Sequence, residues 1–139
     1  MNELVIDASV ALAWCFPDES AADPIRVLDE LKFRKGIVPG HWSIEISNAI
    51  LAGERRHRLT AADVSRFLTL LHELSFTVDP FTSQRATGHI LPLARATGLS
   101  AYDAAYLDLA MREGLELVTL DSKLSKAAKA SGGVVFLGK

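Results

Sequence analysis

Residues 3–14, ELVIDASVALAW, set one carboxylate, Asp7, between two apolar runs. A buried carboxylate without a partner is costly. Asp7 must therefore lie at an exposed edge, cap a helix, or hold something positively charged. Residues 4–6 read as a buried strand, and a helix starts near Ala8 and stops before Pro17.

The same alternation of short apolar runs and longer amphipathic ones continues along the chain. Helical spacing is expected over 20–34, with Ile25, Leu28 and Leu31 on one face, and over 42–58, where Ile46, Ala49, Ile50 and Gly53 recur. Further helices are expected over 61–74 with Thr60 as N-cap, over 83–97 closed by Gly98, over 101–113 closed by Gly114, and over 122–130. Strands are expected at 36–39, 76–78, 115–120 and 134–137. Strands that alternate with helices and lack polar alternation imply a parallel sheet covered on both faces. The expected architecture is a single α/β domain over 1–139, a three-layer α/β/α arrangement around a central five-stranded parallel sheet.

The functional crevice of such folds lies beyond the carboxyl ends of the strands, where strand order reverses. Asp7 directly follows the first strand and Asp121 the fourth. If those strands are neighbours, the two acids are close. Glu45, in HWSIEISNAIL, lies in the first turns of the helix after 36–39. Asp103, in LSAYDAAYLDLA, is harder to place, because its helix precedes the fourth strand and the simple rule puts its start at the opposite edge. The helix over 83–97 would have to carry the chain back, which the break at Gly98 permits.

Each acid also has a purely structural reading. Asp7 and Asp121 could be N-caps, Ser100 and Asp103 have capping-box spacing, and Glu45 suits the positive end of a helix dipole. Taken together, the acids gather where the fold builds its site. Clustered carboxylates repel one another unless a cation joins them. Oxygen donors without a His or Cys set point to Mg²⁺ or Mn²⁺ rather than zinc. His41, His57, His72 and His89 have no paired spacing and are expected to be structural or solvated. Without a nucleophile elbow or a phosphate-cradling glycine loop, the economical chemistry is metal-assisted hydrolysis.

The segments VIDASVALAW, VPGHWSIEISNAIL, LSAYDAAYLDLA and LVTLDSKL, in this order and spacing, resemble the PIN-domain family and within it the VapC-type ribonuclease toxins of type II toxin–antitoxin pairs. The resemblance implies that Asp7, Glu45, Asp103 and Asp121 form one acidic site. Asp7, Asp103 and Asp121 would be the main metal ligands, with Glu45 holding or orienting a water. Ser9, Thr119 and Asn48 would be polar supports. It implies Mg²⁺ as cofactor, with Mn²⁺ substituting, and cleavage of an RNA phosphodiester. It also implies a cognate antitoxin protein and a second copy of the chain as partners, and it brings the helix start at Asp103 to the pocket. Asp108, where the family more often has a small apolar residue, is expected to be a solvated surface acid.

Composition agrees with an ordinary globular chain: 49% hydrophobic, 23% charged and a net charge of −2. That balance argues against tight RNA binding driven mainly by phosphate neutralisation. The one cysteine, Cys15, excludes an intrachain disulfide and is expected as a buried thiol in a reducing compartment. No apolar stretch is long enough to span a bilayer and no signal core follows the first residues, so a cytoplasmic location is expected. The most basic stretch, residues 54–58 (ERRHR), reads first as cations at a helix C-terminus and otherwise as an RNA contact. Residues 14–17 read as core before an antitoxin groove. Two other functions fit less well: a PIN-like module without activity that binds a protein through its acids, and a metal-dependent phosphatase or phosphotransfer domain with Asp7 as nucleophile.

Overall fold

The computed structural model describes residues 3–16, 22–133 and 135–136. Its elements are β1 (Glu3–Ile6), α1 (Ala8–Cys15), α2 (Ala22–Glu30), β2 (Lys35–Val38), α3 (Trp42–Arg55), α4 (Ala61–Leu74) and β3 (Thr77–Val78). Then come α5 (Thr82–Arg85), a π-helical turn (Ala86–Ile90), α6 (Leu91–Thr97), α7 (Ala101–Glu113), β4 (Glu116–Val118), α8 (Ser122–Ala130) and β5 (Val135–Phe136).

The five strands form one sheet in the order β3-β2-β1-β4-β5, every pair parallel. Leu4, Val5 and Ile6 are wholly buried, as a central strand covered on both faces requires. Strand order runs outward from β1 through β2 to β3, then returns to the other side of β1 for β4. The switch point therefore lies between β1 and β4, and the Asp7 backbone N–H donates to Val118 O across it at 2.9 Å.

Helix α3 buries Trp42, Ile46, Ile50 and Gly53; of the expected face Ala49 is only half-buried, and Trp42 joins it. A side chain at Gly53 would lie 2.7 Å from Phe16 and 2.8 Å from Leu59, so the helix can approach this closely only with glycine there. Thr60 caps α4 in a full capping box with Asp63. Cys15 and Phe16 are core, while Trp14 is half-buried and donates its indole N–H to Pro24 O at 2.7 Å. Pro17 lies outside the described residues.

Three expectations change. The helix expected over 20–34 is α2, which ends at Glu30, and its residues 20 and 21 lie outside the described ones. Three-residue turns at Lys32 and Phe33 close it, and Arg34 then reaches Glu116 at 2.7 Å as the chain enters β2. Ile25 is exposed and the buried position is Val27, because Pro24, Val27 and Leu31 share the inward face. The helix expected over 83–97 is interrupted by a full π turn, an extra residue that apolar periodicity does not register. Of the last strand, residues 134 and 137 are outside the described ones.

Asp108 is a correction. It is buried and takes a bidentate grip from Arg85, Nε to Oδ2 at 2.7 Å and Nη2 to Oδ1 at 2.9 Å. Five positions from Asp103, it faces about 140° away round α7. That face is covered by the π turn, so the acid is walled in, and the arginine satisfies it.

Candidate active site

Four segments converge at the switch point: the β1–α1 turn, the β4–α8 connection and the starts of α7 and α3. Asp7 begins the turn from β1 into α1, but its carboxylate makes no capping hydrogen bond to that helix. Instead the Ser9 hydroxyl donates to Oδ2 at 2.7 Å and the Thr119 hydroxyl donates to the same oxygen at 2.8 Å. Each hydroxyl also accepts a backbone N–H of the β4–α8 connection: Leu120 N to Ser9 at 3.1 Å, and Asp121 N to Thr119 at 3.0 Å. The loop bearing Asp121 is thereby latched to the carboxylate of Asp7. Ser9 and Thr119 occupy the supporting positions expected of them.

Asp121 does cap α8, Oδ1 accepting from Lys123 N at 2.9 Å and Leu124 N at 3.3 Å. Asp103 lies in the first turn of α7, whose N-cap is the Ser100 hydroxyl. The reason it reaches this edge differs from the one expected. Helix α7 passes directly into β4 through Gly114, which has φ +66°, with Leu115 N bonded to Ala110 O at 2.9 Å. A helix that feeds the start of a parallel strand has its own start at the carboxyl edge, whatever the path of α5 and α6.

Glu45, in the first turn of α3, is held by a residue not anticipated from the sequence. The Tyr106 hydroxyl donates to Glu45 Oε1 at 2.5 Å. Tyr106 is wholly buried. Burial, and then the neighbouring Glu45 and Asp7 charges, hold its phenol far above the usual range, so it stays protonated and donates. His41, expected to be structural or solvated, places Nε2 3.0 Å from the same Glu45 oxygen. The alignment is not that of a hydrogen bond, so the contact is an ion pair only when the ring is protonated. A tyrosine three residues after Asp103 shares its helix face, which is the one sequence signal that could have pointed to Tyr106. Asn48 is exposed on the turn of α3 after Glu45, outside this hydrogen-bond network.

The charges show how close the acids are. Burial pushes the Asp7 carboxyl up to about 6; the two hydroxyls pull it down, and Asp103 and Glu45 add to the rise. Asp103 is raised as well, by burial first and then by Asp121 and Glu45, with Lys123 opposing. All four acids are thus in electrostatic contact through Asp103. Among the described residues, Asp7, Asp103 and Asp121 have no ion-pair partner. The bonds described fall on Oδ2 of Asp7, Oε1 of Glu45 and Oδ1 of Asp121, so the second oxygen of each takes no part in them.

This donor set suits a hard divalent cation: oxygen only, anionic, and destabilised while uncompensated. Among the described residues no three of the carboxylates already converge on one point. Of the four, Asp103 is the least tethered, its carboxylate hydrogen-bonded only to the Ser100 hydroxyl among the described residues, which leaves it the freest to turn toward a shared cation. Residues 54–58 lie elsewhere. Arg55 is ten residues from Glu45 along α3, about 15 Å, and the Arg58 guanidinium stacks 4.2 Å from the centre of the Phe16 ring.

A parallel α/β sheet with an acidic crevice at its switch point defines a class of domains suited to divalent-metal chemistry. The PIN-domain family model matches residues 4–130, and the chain belongs to that family. It is 33% identical to Ribonuclease VapC9 of Mycobacterium tuberculosis over 127 residues, 91% of this chain and 92% of the relative. It is 27% identical to Ribonuclease VapC3 of Pyrobaculum aerophilum over 124 residues, 89% of this chain and 93% of the relative. Among solved structures, PAE2754 from Pyrobaculum aerophilum superimposes with a TM-score of 0.69 at 28% identity, covering 96% of this chain and 88% of that one. FitAcB from Neisseria gonorrhoeae shares the fold with a TM-score of 0.63 at 16% identity, covering 96% of each chain.

Proposed function

We propose that this protein is a Mg²⁺-dependent endoribonuclease, with Mn²⁺ able to substitute, and that Asp7, Glu45, Asp103 and Asp121 form its site. The observation that carries the reading is a buried carboxylate, Asp7, raised to about 6 by burial and by two neighbouring acids, with no ion-pair partner among the described residues. The VapC ribonuclease names of its relatives supply the reaction class and RNA as substrate.

In this reading Asp7, Asp103 and Asp121 hold the cation. The chemistry it supplies there is acidification of a water and neutralisation of charge on a phosphodiester oxygen. Ser9 and Thr119 fix the rotamer of Asp7, so that the oxygen outside their bonds is the one offered to the cation. Glu45, pinned through Oε1 by Tyr106, orients the attacking water with its other oxygen. Asp7 must be deprotonated to serve, so metal affinity is expected to fall as pH drops through about 6. By the same resemblance the protein is a cytoplasmic toxin of a type II pair, partnered by its antitoxin and by a second copy of itself. Among the described residues no helix is long and apolar enough to cross a membrane.

The test is cleavage of a mixed RNA pool in Mg²⁺ and in EDTA. Wild type is expected to cut only with the metal, and Asp103→Asn to lose activity by about 100-fold or more. Equal cleavage in EDTA, or by Asp103→Asn, contradicts the reading. Tyr106→Phe keeps the ring in the core and removes the hydroxyl's bond to Glu45 together with its contact to the Ala8 backbone. It is expected to lower the cleavage rate by roughly tenfold while costing about 1 kcal/mol of stability. An unchanged rate, with stability measured by urea titration alongside, would remove Tyr106 from the account.

A further inference from the structure

Two large apolar side chains stay exposed immediately beside the site acids. Tyr102 precedes Asp103 and is 64% exposed, and Leu120 precedes Asp121 and is 45% exposed. Tyr102 is not a loose surface residue. Its ring packs against His41, centroids 5.6 Å apart and tilted by 49°. His41 also meets Tyr106 edge-on at 5.3 Å, and Tyr106 is bonded to Glu45. A continuous aromatic stack thus runs from the buried floor of the crevice to its rim, ending in an open ring.

The crevice has a matching need. Its four carboxylates repel a phosphate backbone, Lys123 beside Asp103 offsets them only in part, and the most basic stretch of the chain begins about one helix length away on α3. Backbone electrostatics therefore supply little of the grip at this edge. Stacking on an aromatic ring is a further source of affinity for unpaired nucleic acid, and it tolerates any base.

We propose that Tyr102, buttressed by His41, is a stacking platform for an unpaired RNA base next to the phosphodiester held at the acids, a role that rests on the ribonuclease reading. The inclined His41 contact braces the ring, and most of Tyr102 remains exposed to meet a base. The platform positions substrate; it is not a catalytic group. A partner protein's side chain could use the same ring, and the experiment separates the two.

Binding is measured by fluorescence anisotropy at low salt in EDTA, with a fluorescein-labelled eight-nucleotide adenosine RNA and an abasic oligomer carrying the same phosphates. Wild type and Tyr102→Phe are expected to prefer the adenosine RNA by about tenfold, and Tyr102→Ala to bind both oligomers alike. Tyr102 is exposed, and unfolding midpoints of all three variants check that the fold is intact. Wild type without a preference, or Tyr102→Ala retaining it, overturns the platform, and the ring then belongs to another partner. Cleavage of the RNA pool in Mg²⁺ is read separately. Cleavage without a base preference overturns the platform alone. A base preference lost in Tyr102→Ala, without any cleavage, overturns the ribonuclease reading and leaves an RNA-binding surface.

Discussion

Asp7→Asn is expected to abolish RNA cleavage, by at least about 100-fold, and at the same time to make the metal-free protein more stable at pH 7. The two effects share a cause. In the folded chain the carboxyl of Asp7 is raised from 3.8 to about 6, chiefly by burial and further by Asp103 and Glu45. A rise of that size corresponds to about 3 kcal/mol at most. Because the folded value lies above the unfolded one, the protonated form is the stable partner of the fold. Asp7 therefore costs nothing below about pH 4. The cost grows through pH 6 and is full above it. Asparagine keeps the acceptor oxygen for Ser9 and Thr119 and removes the charge. Urea titrations of both proteins in EDTA should nearly coincide near pH 4 and separate by pH 7.5, with the variant the more stable. A variant less stable at pH 7.5 would mean that Asp7 is there for the fold.

Arg112→Ala is expected to cost about 3–5 kcal/mol, a large share of the total stability of a domain this size. Asp79 follows β3 and is only 5% exposed. Its Oδ2 accepts from Arg112 Nη2 at 2.7 Å and from the Thr82 hydroxyl at 3.3 Å. Without the guanidinium, an anion stays buried with one weak hydroxyl contact and only the through-space charge of Arg85. The double variant Arg112→Met/Asp79→Leu should recover much of the loss, since removing both partners leaves no buried charge behind. A single-variant cost below about 1 kcal/mol by urea titration would show that water reaches Asp79. Arg112 is nine residues from Asp103 along α7, about 14 Å, so the purified variant, if folded at low temperature, should still bind Mn²⁺.

These two predictions also divide what could be read in the sequence from what could not. Asp7 was legible because an acid ends an apolar strand, and an α/β sheet gives that position a meaning before any coordinates exist. Asp121 follows the same rule on β4, and the parallel β1–β4 pair places both at one switch point. Asp103 was placed by resemblance, while the residue that decides its edge is Gly114, whose left-handed turn ties α7 straight into β4. The ion pairs were not legible. Arg85 is 23 positions from Asp108 and Arg112 is 33 from Asp79, and no local pattern encodes such meetings. Asp108 looked like a solvated acid because periodicity describes α7 alone, and the π turn that buries it belongs to another segment. Tyr106 was illegible for a similar reason: its role comes from Glu45, which α3 delivers from 61 residues away. His41, expected to be structural or solvated, meets the same Glu45 from four residues earlier.

The central claim is that Asp7 ends its strand in order to hold a cation. The most direct measurement is the thermal unfolding midpoint with and without Mn²⁺, for wild type and Asp7→Asn, at pH 7.5. A ligand at about 100 times its dissociation constant adds roughly 2.7 kcal/mol, so wild type should melt several degrees higher with the metal and the variant should not respond. A wild type indifferent to Mn²⁺, together with an Asp7→Asn variant that melts lower, would contradict the claim and make the aspartate a structural group.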